Sequence, residues 1–136
     1  MISTKGRYAI RLLLDMAEQP SGTPVTLDSI AERQNISKKY LESVVRLLVT
    51  AKMVKGSSGK GGGYQLLRKP EEYTIGEILR KTEISLAPVA CLMDNADVCP
   101  RGKNCKTLPM WINFNKMVND FFDDITIADL ISGDKF

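Results

Sequence analysis

From Ser3 onward apolar residues recur three and four positions apart. Tyr8, Leu12, Leu13, Met16 and Ala17 line one side of an amphipathic helix that is predicted to end near Glu18, ahead of Pro20, Gly22 and Pro24. Thr26 is placed to cap a second, short helix with Leu27, Ile30 and Ala31 on its inner face. Asn35, a residue tolerant of the left-handed conformation, closes it. Ser37 then caps a third helix whose apolar face is Leu41, Val44, Val45 and Leu48, running to about Ala51. Two helices joined by Asn35-Ile36-Ser37, with an apolar residue in the turn, read as a helix-turn-helix.

Met53-Val54-Lys55 and Tyr64-Gln65-Leu66-Leu67 read as two strands around Gly56-Ser57-Ser58-Gly59-Lys60-Gly61-Gly62-Gly63. Glycine-rich composition alone would equally suit a flexible linker. Its place directly after a helix-turn-helix makes the hairpin a wing, where glycine lets the backbone run close to a phosphate chain. A nucleotide-binding loop is disfavoured, because no Gly-Lys-Ser/Thr opens a following helix. Thr74-Ile75-Gly76-Glu77 forms a capping box for a helix ending by Thr82, and Thr126-Ile127-Ala128-Asp129 repeats the pattern near the end of the chain.

Between them, Leu86 to Thr107 reads as a loop, and Pro109 sits in the first turn of a long helix of about sixteen residues, roughly 24 Å. Met110, Trp111, Phe114, Met117, Val118, Phe121 and Phe122 fill one broad face of it. That is more apolar surface than a helix on a small domain buries alone, so Trp111, Phe114, Val118 and Phe121 are expected to meet a second copy. The fold expected is mainly α: a winged helix-turn-helix domain with a small β-hairpin wing and a long C-terminal dimerisation helix. Its parts are residues 1–82, a cysteine loop at 83–107, and the dimerisation helix with a short final helix at 108–136.

Charge changes the picture more than bulk composition does. With 136 residues and 43% apolar content the chain suits one domain with an appended arm. Residues 1–70 carry 12 basic and 5 acidic side chains, a balance of +7, while residues 71–136 carry 7 and 11, a balance of −4. A basic half of that kind suits a polyanion. No apolar run approaches a membrane span and the first fifteen residues lack a leader pattern, so a cytoplasmic protein is expected. Histidine is absent, which removes the commonest general base and every histidine metal ligand. With no nucleophile and base pair in evidence, neither an enzyme nor a small-molecule substrate is expected.

Candidate chemistry lies at two places. The first turns of the third helix present Lys38, Lys39, Tyr40, Glu42, Ser43 and Arg46 to a major groove. Lysines there reach phosphates or guanine edges, and Glu42 can accept from a cytosine amino group. Any one of them alone would be an ordinary solvated position, and a tyrosine three residues after a cap more often packs than stacks. The glycine hairpin and the +7 half weigh against that plain reading for the set. The second place is Cys91-x7-Cys99-x5-Cys105, an odd set that cannot close into disulfides within one chain. Soft thiolates suit zinc or an iron-sulfur cluster, although this spacing by itself does not separate ligands from unrelated thiols.

Ser3-Thr4-Lys5-Gly6-Arg7-Tyr8-Ala9, Ile36-Ser37 followed by Tyr40-Leu41-Glu42, Gly61-Gly62-Gly63-Tyr64, the three cysteines, and Leu130-Ile131 after Ile125-Thr126 together resemble the Rrf-two family of winged-helix regulators, with its IscR, NsrR and CymR types. The resemblance spans almost the whole chain and keeps the order of the blocks. It implies a homodimer with crossing long helices, a palindromic operator in double-stranded DNA, and an iron-sulfur cluster, 2Fe-2S or 4Fe-4S, on Cys91, Cys99 and Cys105. Three departures stand out. Leu108 occupies the place of the histidine ligand of IscR-type members, Arg7 that of the acidic ligand of NsrR-type members, and Ser58 that of an arginine entering the minor groove, for which Lys60 is the available substitute. The fourth ligand is therefore open among Asp97, Asp94, a water, a small thiol or a backbone group, with Asp97 favoured. Such a cluster is expected to be labile in air and absent from aerobically prepared protein. The alternatives are a thiol or zinc sensor without a cluster, or a CymR-like regulator acting through a protein partner in cysteine biosynthesis.

Overall fold

The hydroxyl of Ser3 accepts from the Gly6 N–H at 3.1 Å and so starts α1 (Thr4–Glu18). Glu83 in turn accepts from the N–H and hydroxyl of Ser3 at 2.9 and 2.8 Å, which fixes the chain entrance to the far end of α4 (Ile75–Thr82). A Cβ on Gly6 would stand against the Glu83 carboxylate and 3.0 Å from Leu79, so α1 and α4 approach this closely only because the residue is glycine. The computed structural model describes residues 2–136; Met1, the first residue of the expected N-terminal unit, lies outside them.

Thr26 and Ser37 cap α2 (Leu27–Gln34) and α3 (Lys38–Thr50), and Asn35 takes the left-handed conformation, φ 52°, between them. Leu12, Leu13 and Met16 of α1, Ile30 of α2, and Leu41, Val44, Val45 and Leu48 of α3 are buried together. One member of that inner surface is charged. Asp15 is 3% exposed and accepts from Arg33 at 2.7 and 3.0 Å and from the Gln34 amide at 3.0 Å. The pair binds α1 to α2, and its two ends differ. Arg33→Ala would strand a carboxylate in the core and is expected to cost about 3 kcal/mol. Asp15→Ala leaves an arginine that is 39% exposed and reaches water, so about 1–2 kcal/mol is expected. Urea unfolding of both variants checks this; the reverse order would show that apolar packing, not the ion pair, holds the helices.

The wing consists of β1 (Val54–Ser57) and β2 (Gly63–Leu66), antiparallel with Val54 opposite Leu66 and Ser57 opposite Gly63. Both strands reach further into the glycine segment than the sequence pattern predicts. Met53 does not open the ladder, because its N–H closes α3 on the Leu48 carbonyl at 2.9 Å. The start of β2 is tied to the segment before α2 by two 2.8 Å backbone bonds between Val25 and Tyr64. Gly63, at φ 149°, permits this: a Cβ there would lie 2.7 Å from the Val25 carbonyl oxygen. At the base, the buried Tyr73 hydroxyl donates to Met53 O at 2.5 Å and accepts from the N–H groups of Leu67 and Arg68 at 3.1 Å. Burial raises the Tyr73 phenol above its usual pKa, which keeps it a donor.

Thr74 caps α4 by accepting from Glu77 N–H at 3.1 Å, but only half of the predicted capping box forms. The Glu77 carboxylate instead takes two 3.0 Å bonds from Arg68, at the end of the wing. After the loop, α5 (Leu108–Asp123) starts with Pro109 in its first turn, and α6 (Ile127–Ser132) carries a complete box from Thr126 and Asp129. The two capping threonines are neighbours. Ile75 N–H bonds Ile125 O at 2.8 Å and Ile127 N–H bonds Tyr73 O at 3.0 Å, so α4 and α6 start from one short bridge. Through it Ile125 and Ile127 join the core built by α1 to α4. Arg80 of α4 holds Asp123 of α5 bidentately at 2.8 Å and Asn119 at 3.0 Å. No helix of the described residues is long and apolar enough to cross a membrane.

Candidate nucleic-acid interface and cysteine loop

Packing α3 against the wing leaves an open cleft bordered by Lys38, Glu42 and Arg46 on one side and Ser57, Gly59 and Gly62 on the other. The helix-turn-helix thus presents the expected side of α3, with Leu41, Val44 and Val45 inward and Lys39, Glu42, Ser43 and Arg46 exposed. Ser43 donates to the Tyr40 carbonyl at 2.7 Å. Tyr40 is half-buried, its ring edge-on to Tyr8 at 5.3 Å, so it braces α3 against α1. Ser58 and Lys60 are exposed at the wing tip. A turn closed by Gly62 N–H on Gly59 O at 3.0 Å, with Gly61 at φ 78°, puts Lys60 at its apex.

Lys38 is not free. Its ammonium lies 3.0 Å from the carboxylate of Asp28, in the first turn of α2, and that hydrogen bond raises its pKa. Asp28 carries no sequence signal for this role, since an acid in a first helical turn is commonplace. Lys39, Lys52, Lys55, Lys60 and Lys69 are exposed and make no salt bridge among the described residues, and they supply much of the positive excess of the first half.

The loop between α4 and α5 has one 3-10 turn, Ala90–Leu92, as its regular structure. From Val89 to Leu108 its backbone bonds link residues three apart, as Met93 to Ala90, Gly102 to Cys99 and Leu108 to Cys105. Cys91 and Cys99 are exposed and Cys105 partly so. The Thr107 hydroxyl, 3.4 Å from the sulfur, holds the Cys105 thiol below its usual pKa, helped by the Thr107 N–H and the charge of Arg101. Among the described residues no three Cys, Asp or Glu side chains gather into a group that could hold a metal. Asp97 is exposed, and Asp94 borders a shallow cleft with Asn115 and Asn119 of α5. The donor chemistry nevertheless fits a soft cation, and turns bonded only locally can close around one without breaking the core.

No residue of α5 is buried. Met110, Phe114, Met117 and Phe121 are 41–68% exposed, while Trp111, Val118 and Phe122 are partly covered. Ile2, Leu86 and Pro88 border the same apolar surface.

Residues 2–133 match the family model described as Rrf2, iron-dependent transcriptional regulator. The protein rrf2 of Nitratidesulfovibrio vulgaris is 38% identical over 130 residues, covering 96% of this chain and 86% of the relative. Among solved structures, CymR (YrzC), the global cysteine regulator of B. subtilis, superposes with a TM-score of 0.81 at 34% identity, over 97% of this chain and 96% of that one. T. potens IscR gives 0.76 at 32% identity, over 98% and 87%. These relatives are regulators rather than enzymes, and they share the winged-helix architecture described above. The chain belongs to the Rrf2 family of winged-helix transcriptional regulators.

Proposed function

We propose that this protein is a cytoplasmic homodimer that binds a palindromic operator and adjusts that binding through an iron-sulfur cluster on Cys91, Cys99 and Cys105. The observation that carries the reading is continuity: the three thiols lie on one locally bonded loop that joins α4, beneath the wing, to the apolar helix α5. Residues 1–82 would bind DNA, 83–107 sense, and 108–136 pair the protomers. Lys39, Lys60 and Arg46 meet phosphates or guanine edges, Glu42 and Ser43 read bases, Ser58 approaches the minor groove with the wing, and Tyr40 holds α3 in place. A bound cluster would supply a centre that oxygen, nitric oxide or iron supply alters. The chain's part is to hold it with three sulfurs and to pass the order of the loop into α5, whose crossing with a partner helix sets the half-site spacing.

The lowered Cys105 thiol and the likeness to CymR favour one other reading, a thiol or zinc sensor that works through a protein partner. Anaerobic purification separates the two. Coloured protein with iron and sulfide supports the cluster, and colourless protein with zinc or reversibly oxidised thiols supports the alternative. The DNA part is tested by Glu42→Ala on operators altered one base pair at a time. A carboxylate among phosphates is repelled unless it accepts from cytosine, so base preference should relax by about 1–3 kcal/mol at one position per half-site. An unchanged preference profile removes Glu42 from the readout.

A further inference from the structure

The first seventy residues carry a balance of +7, yet the cleft between α3 and the wing does not share it. Its charged borders are Lys38 and Arg46 against Asp28 and Glu42, a neutral set. Lys38 opens α3 and Asp28 lies in the first turn of α2, so their 3.0 Å pair joins the starts of the two helices of the helix-turn-helix across the turn. The backbone under Asp28 is fixed by the Thr26 cap, whose hydroxyl accepts from Ser29 N–H at 3.2 Å and whose carbonyl accepts from the Ser29 hydroxyl at 2.8 Å. Asp28 is 74% exposed and Lys38 50%, and an ion pair so open to water stabilises a fold little. Its effect is on what Lys38 can do.

We propose that Asp28 is a positioning residue for specificity, which holds Lys38 off the DNA backbone and reserves it for base edges. The proposal rests on the reading of α3 as the recognition helix. A lysine free to meet any phosphate releases a counterion on every DNA sequence and strengthens specific and non-specific binding alike. The three N–H donors of the ammonium let it bond a second acceptor while paired, but a phosphate met that way is brought against the Asp28 carboxylate and repelled. Non-specific binding is therefore penalised, while a guanine edge within reach of the paired ammonium is not. The Asp28 hydrogen bond raises the Lys38 pKa, so the ammonium stays charged throughout.

The test uses the full chain with an operator fragment selected from random duplexes by the wild type, and poly(dI-dC) as non-specific DNA. Asp28→Asn keeps shape and removes the charge. It should steepen the salt dependence of poly(dI-dC) binding by about one unit per protomer, each unit being tenfold more loss per decade of salt, and should lower the operator-to-non-specific ratio. Asp28→Glu should restore the wild-type slope, which a merely structural role in α2 would not predict. In a Lys38→Ala background, Asp28→Asn should have no further effect. An unchanged slope and ratio in Asp28→Asn, or an equal gain in the Lys38→Ala background, overturns the proposal; the second result would mean that Asp28 repels DNA directly. If Lys38→Ala alone leaves all DNA binding unchanged, the reading of α3 fails instead, so the two failures are distinct.

Discussion

Phe121→Glu is expected to halve the mass of the protein in solution and to weaken operator binding by about 10²- to 10⁴-fold. Phe121 is 57% exposed, and its ring meets Phe122 edge-on at 5.3 Å rather than inserting into the core. Met110, Phe114, Met117 and Phe121 follow one another at steps of four, three and four, the spacing of a seam between two helices. An exposed apolar stripe of this kind marks an interaction surface, and a second copy is its proposed occupant. The introduced carboxylate would be desolvated against the partner's apolar stripe. A monomer would then contact one half-site and lose the effective concentration that the second provides. Light scattering after gel filtration reads the mass, and circular dichroism checks that the protomer survives, as it should while Arg80 still holds Asp123 and Asn119. A folded variant that stays dimeric places the interface elsewhere on the surface.

Elements governed by neighbours in the chain were legible from the sequence. Thr26, Ser37, Thr74 and Thr126 each cap the helix that their position implies, because the cap bond spans three residues and needs no tertiary partner. Asn35 ends α2 for the same local reason. What escaped depends on distant groups. Asp15 reads as a polar interruption of an apolar face until Arg33 and Gln34 arrive from α2. Glu77 completes a capping box in the sequence and an ion pair with Arg68 in the fold, since a cationic fork nearby outcompetes one backbone N–H. Tyr73 gave no signal, yet its hydroxyl ties both ends of the wing. On α3 the exposed positions followed from the helical period, while the partner of Lys38 is ten residues away in another helix. The cysteine loop was legible as a loop. Its internal arrangement was not, because turns bonded over three residues leave the relative placement of three sulfurs to whatever they bind.

The second large effect concerns that loop. Cys99→Ala should abolish iron and sulfide retention after anaerobic reconstitution, while Asp97→Ala should retain both at first and lose them faster in air. Cluster binding would take up the three sulfurs as thiolates, and removing the middle one leaves two sulfurs joined by a long span, too few to hold a cluster. The fourth position is different in kind. Leu108 opens α5 and has no donor atom, and Arg7 on α1 is an exposed cation that would repel the iron it replaces a ligand for. The exposed Asp97, two residues before Cys99, is the carboxylate nearest in sequence to any of the three cysteines, and Asp94, five before Cys99, borders a cleft with Asn115 and Asn119. An oxygen ligand from Asp97 would hold a bound cluster only weakly and would leave it open to oxidants, so air should bleach the wild type within the experiment and Asp97→Ala sooner. Iron, sulfide and visible absorption followed against time in air measure both rates. Equal and stable iron in wild type, Cys99→Ala and Asp97→Ala would show that these cysteines are not ligands, and would leave the winged-helix half of the molecule to act without a cluster.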